Sequence, residues 1–62
     1  MKLSEKEKRI IQLIGEAKTN REIAEIIGVK ETSVGVYICN LCRMTDSKNR
    51  IDLYNKYLVG EI

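Results

Sequence analysis

The sequence predicts an all-α fold of four short helices, and three observations carry that expectation. Apolar residues recur at helical spacing, as in Ile10, Ile11, Leu13 and Ile14 and again in Val34, Ile38 and Leu41. Two capping-box signatures, Ser4 with Glu7 and Thr19 with Glu22, stand just ahead of such runs. No proline interrupts them, and the aromatics are three tyrosines, as suits a compact helical chain.

The elements follow in order. Ser4 and Glu7 open a first helix near Glu5, which fades around Gly15 to Ala17, giving bounds of about 5–16. Thr19 and Glu22 open a second helix, about 20–27, with Asn20 as a competing cap. Ile23, Ala24 and Ile27 mark its apolar face, and Gly28 supplies a turn. A third helix runs from Glu31 or Thr32 to Met44, about 31–44. Asp46, Ser47, Lys48 and Asn49 are turn-forming residues. A fourth helix covers about 50–59, with Ile51, Leu53, Tyr54, Tyr57 and Leu58 as its apolar positions. No linker or repeat divides the chain, so residues 1–62 form one domain.

Residues 20–37 carry the most specific pattern. Ala24 falls four residues before Gly28 and Val34 six after it. That is the spacing of a helix-turn-helix: a small residue where helices approach, a turn tolerant of positive φ, and a branched residue locking the second helix. Such a unit serves mainly to set a helix in the major groove of DNA.

Composition bounds the function. Sixty-two residues have room for one small core and no catalytic cleft of normal size. Eleven Lys plus Arg against nine Asp plus Glu leave a net charge of only +2, modest for a nucleic-acid binder. With no histidine, hence no Ser-His or Cys-His arrangement, and no glycine-rich phosphate loop, the chain is not expected to be an enzyme. Cys39 and Cys42 have the Cys-x-x-Cys spacing of metal and redox motifs. Zinc needs four ligands and this chain supplies two thiols, so they read as small, semi-buried residues of the third helix, the alternative being oxidation or metal capture through Cys39 in a dimer; no metal and no cofactor is expected. No apolar run approaches the roughly 20 residues of a membrane span, and no signal peptide opens the chain; a complete, cytoplasmic protein is expected.

Three blocks in order, LSEKEKRIIQLI, TNREIAEIIGV and KNRIDL, resemble the DNA-binding domain of the LuxR-type (GerE-type) bacterial transcription regulators over about residues 3–58. The resemblance implies a four-helix domain whose third helix enters the major groove and whose fourth often forms a two-fold dimer contact. It also implies a pairing of Glu7 with Arg50, both kept in the family; an exposed pair contributes at most about 1 kcal/mol.

The departures bear on recognition. Where the family reads Thr-Val-Lys-x-His, this chain reads Ser33-Val34-Gly35-Val36-Tyr37, so the groove-facing lysine is Gly35. Cys39 stands at another groove position, Lys30 replaces a Ser or Thr cap, and Thr45-Asp46-Ser47 replaces a Leu-Gly-Val turn. On this reading Thr32, Ser33, Gly35, Val36, Cys39, Asn40 and Arg43 form the reading face. Thr32 and Ser33 would bond phosphates or base edges, Val36 would touch thymine methyls, Asn40 would pair with adenine, and Arg43 would hold a guanine or the backbone. Thr19, Arg21 and Lys30 are placed with the phosphates.

Leu53, Tyr54, Tyr57 and Leu58 are assigned to a homodimer interface, since a 62-residue helical domain gains from burying further surface. The expected function is sequence-specific, DNA-binding transcription regulation by a small dimer without a sensory domain, its partner double-stranded DNA at a palindromic site. The alternative is a degenerate helix-turn-helix that binds and modulates a larger regulator, favoured by the uncharged Gly35-Val36-Cys39 stretch.

Overall fold

A computed structural model describes residues 2–62 and contains, among them, four helices and no strand. These are α1 (Glu5–Gly15), α2 (Asn20–Ile27), α3 (Glu31–Met44) and α4 (Arg50–Leu58). The fold is thus all-α, as the sequence predicts. No helix among the described residues is long and apolar enough to cross a membrane.

Local hydrogen bonding explains where each helix starts. The Glu7 N–H donates to Ser4 Oγ (3.1 Å) while the Ser4 N–H donates to Glu7 Oε1 (2.8 Å). Thr19 and Glu22 repeat the reciprocal pair at 3.1 and 2.9 Å, so Thr19 rather than Asn20 caps α2. Asn49 Oδ1 accepts from the Asp52 N–H (2.8 Å) at the start of α4. Lys30 stands at the cap position of α3 and makes no side-chain cap bond.

The helix ends share one device. Beyond α1 the Lys18 N–H returns to the Leu13 carbonyl and the Ala17 N–H to that of Ile14. Beyond α3 Ser47 returns to Cys42 and Asp46 to Arg43; beyond α4 Glu61 returns to Lys56 and Gly60 to Tyr57. This is the Schellman arrangement, which needs a left-handed residue just past the helix. Gly60 fills that position at no steric cost (φ 79°), but Ala17 (φ 62°) and Asp46 (φ 56°) do so without being glycine. Asp46 therefore performs the turn that a glycine makes in the resembled family. Lys56 secures it, donating to the carbonyls of Thr45 (2.9 Å) and Asp46 (2.6 Å).

One core joins the helices: Leu3, Ile10, Ile11, Leu13 and Ile14 meet Ile23 and Ala24, Val34, Ile38 and Leu41, and Leu53. Tyr54 of α4 lies across Gly15, where a side chain would overlap its ring. That close approach seats α4 against the end of α1.

Two expectations are corrected. Leu53, assigned to a dimer surface, has 0% exposure at the centre of the core, while Ile51 at 68% and Leu58 at 60% face solvent. The helix is rotated about its axis so that Leu53 and, one turn on, Tyr57 face inward, and Gln12 donates to the Tyr57 hydroxyl (3.3 Å). Glu7 does not pair with Arg50: its carboxylate is held by the Ser4 N–H, and Arg50 donates instead to Asn20 Oδ1 (2.7 Å).

Candidate nucleic-acid interface

The turn between α2 and α3 is built by Gly28, at φ 77° and ψ 38°, with its N–H donating to the Ala24 carbonyl (2.9 Å). A left-handed residue here lets the chain reverse within three residues, and Ile23 and Ala24 then pack with Val34, Ile38 and Leu41 in the core. Fixing those three positions inward decides what α3 shows to solvent.

Thr32, Val36, Cys39, Asn40 and Arg43 lie exposed along α3, with Ser33 and Gly35 half-buried at the edges. Thr32, Val36, Cys39 and Arg43 recur at helical spacing and form a single stripe. Val36 is 58% exposed, a large apolar side chain left in water in the middle of that stripe. Among the described residues no ion pair engages Arg43. A shallow, open cleft of about 330 Å³ runs along the N-terminal half of the face, lined by Thr32, Ser33, Val36 and Tyr37.

Gly35 is not demanded by crowding. A Cβ placed on it would meet only Asn20 Nδ2, at 3.8 Å, an ordinary contact. Its value is therefore either indifferent or lies in close approach of something outside the molecule.

The phosphate candidates are differently placed. Thr19 is exposed, but its Oγ accepts the Glu22 N–H and so belongs to the cap of α2. Arg21 lies 3.5 Å from Glu25, with both side chains largely exposed, a pair too solvated to bind strongly. Lys30 is exposed at the start of α3. Glu22 has its carboxyl lowered below the usual range, chiefly by the backbone hydrogen bond from Thr19. Cys39 is an exposed thiol and Cys42 a half-buried one, whose pKa is raised by burial and then by proximity to Cys39.

Two participants, Lys56 and Lys6, escaped the sequence reading, and a third, Arg50, has a partner other than the one expected. Arg50 reaches 30 residues back to Asn20 and so ties the start of α4 to the start of α2. Lys56 ties α4 to the end of α3. Lys6 of α1 places its ammonium 5.5 Å from the centre of the Tyr37 ring on α3. None has a local sequence signal, because each partner is at least ten residues away.

Comparison with known proteins agrees with this geometry. The family described as bacterial regulatory proteins, luxR family, matches residues 1–57. The chain belongs to the LuxR family. Its four helices are a LuxR-type helix-turn-helix domain, of the class that regulates transcription by binding DNA. A similar protein is the transcriptional activator protein AnoR of Acinetobacter nosocomialis, 39% identical over 49 residues. That match covers 79% of this chain and 21% of AnoR, so the LuxR-type domain spans about a fifth of the relative's length. No solved structure matches the chain significantly.

Proposed function

We propose that the chain binds DNA sequence-specifically as a homodimer and regulates transcription from a palindromic site in the cytoplasm. The observation that carries this reading is the α3 stripe of Thr32, Val36, Cys39, Asn40 and Arg43, exposed and opposite a fully apolar inner face. It offers a hydroxyl, an apolar contact for a thymine methyl, an amide that matches adenine and a guanidinium that matches guanine or phosphate. Ser33 and Gly35 flank it, and Lys30 supplies charge at its start. The reading requires no cofactor, metal or catalytic group.

The dimer surface in this reading is the outer face of α4. Ile51 and Leu58, with Val59 at 71% exposure, form an apolar strip beside the half-buried Tyr54. Two copies joined there by a two-fold axis would present two α3 helices to half-sites about 34 Å apart.

The test is selection from a randomised duplex library, with affinity followed across salt. Enrichment of a palindrome, a steep salt slope and loss on Arg43→Ala support the reading; binding no tighter than to bulk DNA refutes it. One observation favours a second reading, in which this face docks on a larger regulator: between Thr32 and Arg43 the stripe carries no charge. The same selection separates the two, since a protein-docking face enriches no DNA sequence.

A further inference from the structure

We propose that Cys39 and Cys42 together form a two-thiolate site for a soft monovalent cation, copper(I), and that filling it opposes DNA reading by α3; the second half rests on the DNA-binding reading above. Both thiols are free and stand one turn apart within the continuous helix Glu31–Met44. Side chains three residues apart on a helix have Cβ atoms about 5–6 Å apart. A disulfide needs about 3.5–4.5 Å, so the helix keeps the pair from closing on itself. A bridging ion suits the separation better, since two metal–sulfur bonds of about 2.3 Å each open the sulfur–sulfur span to about 4–5 Å.

The pair runs from surface to interior. Cys39 is exposed in the stripe with Thr32, Val36 and Arg43, whereas Cys42 is half-buried and packs against the core. The two thiols lie close enough to interact: burial raises the Cys42 pKa most, and the charge at Cys39 raises it further. Asp52 of α4 adds to that effect, while Arg50 and Lys56 oppose it and would offset the charge of a thiolate pair.

The donor set selects the ion. Among the described residues no cluster of three or more His, Cys, Asp or Glu could hold a metal. Zinc, which takes four ligands, is left unsatisfied, and calcium and magnesium call for oxygen. Copper(I) is soft, prefers thiolate and is satisfied by two of them in a line. Loading exchanges the two thiol protons for one copper(I) ion with no electron transfer, and it turns a neutral pair into a complex of single negative charge. That charge stands on the groove side of α3, one turn before Arg43, where it repels phosphate and competes for the guanidinium. By linkage, DNA bound at the same face weakens copper binding by the same factor.

Anaerobic titration of the full chain with copper(I), against a chromophoric copper(I) chelator, tests the site without DNA. One ion per chain is expected, with a thiolate-to-copper absorption band and two sulfur neighbours by X-ray absorption. Cys39→Ser and Cys42→Ser should each abolish it; Cys39 is exposed, so its variant keeps the fold. Unchanged binding in either variant, or one ion shared between two chains, overturns the site. Duplex affinity with and without one equivalent of copper(I) tests the control: about a tenfold loss is expected for the wild type and no copper effect for Cys42→Ser. Equal affinities with the site filled overturn the control and leave the site standing. Absence of DNA binding by the copper-free chain overturns the DNA-binding reading and the control with it, while the titration still decides the site.

Discussion

Replacing Gly15 and Gly35 by alanine should move stability in opposite directions, although helix propensity alone treats them alike. Both glycines lie within helices, where alanine is favoured by up to about 1 kcal/mol. A Cβ on Gly35 meets only the Asn20 amide at 3.8 Å, so Gly35→Ala should realise that gain in full. For a domain of this size the melting temperature should rise by about 4–8 °C. A Cβ on Gly15 would overlap the Tyr54 ring, so the ring must swing away. Tyr54 is half-buried; losing roughly 80 Å² of apolar cover at about 25 cal/mol per Å² costs about 2 kcal/mol, which exceeds the propensity gain. Gly15→Ala should therefore destabilise by about 1 kcal/mol, leaving the two variants about 2 kcal/mol apart. Urea unfolding followed by circular dichroism, at one protomer concentration, reads the difference. In a Tyr54→Ala background the obstruction is gone, and alanine at position 15 should become stabilising. Equal stabilisation by both single variants would refute the claim that Tyr54 seats α4 on Gly15.

Other consequences are as direct. Leu53→Ala should cost about 2–5 kcal/mol and leave much of the domain unfolded by calorimetry, whereas Leu58→Ala should shift stability by under about 0.5 kcal/mol and act on self-association, read by sedimentation equilibrium. The Glu22 carboxyl is lowered on folding, so its contribution to stability is complete above the ordinary glutamate pKa and is lost as pH falls through the lowered one. Glu22→Gln should flatten that acid limb, seen as a smaller drop in melting temperature between neutral and acid pH. Cys39 should react with a thiol reagent well before Cys42, whose burial and raised pKa both suppress the thiolate; equal rates would contradict the placement of the two thiols.

Where the sequence was legible, the physics was local. Ser4 with Glu7 and Thr19 with Glu22 could be read as capping boxes because each bond closes within three residues. Gly28 could be read as a left-handed turn because only its own backbone conformation was at issue. The inward set on α3, Val34, Ile38 and Leu41, follows from helical period alone. Where reading failed, the deciding partner was remote. Five apolar residues on α4 fit the same period, and nothing within that segment told Leu53, now in the core, from Ile51 and Leu58, now in solvent. The family pairing of Glu7 with Arg50 gave way on both counts: the local Ser4 box already engages Glu7, and the remote Asn20 takes Arg50.

The sequence by itself determined that there are four helices, that capping boxes open the first two, and which side of the helix-turn-helix faces the core. Those features depend on hydrogen bonds and side-chain periodicity spanning a turn or two of chain. Only the tertiary structure decided how α4 is rotated, that Arg50 and Lys56 bind it to the two ends of the helix-turn-helix, and that Lys6 lies over Tyr37. Those outcomes depend on the fit of one helix surface against another, as with Tyr54 on Gly15, and such a fit exists only once the helices have packed.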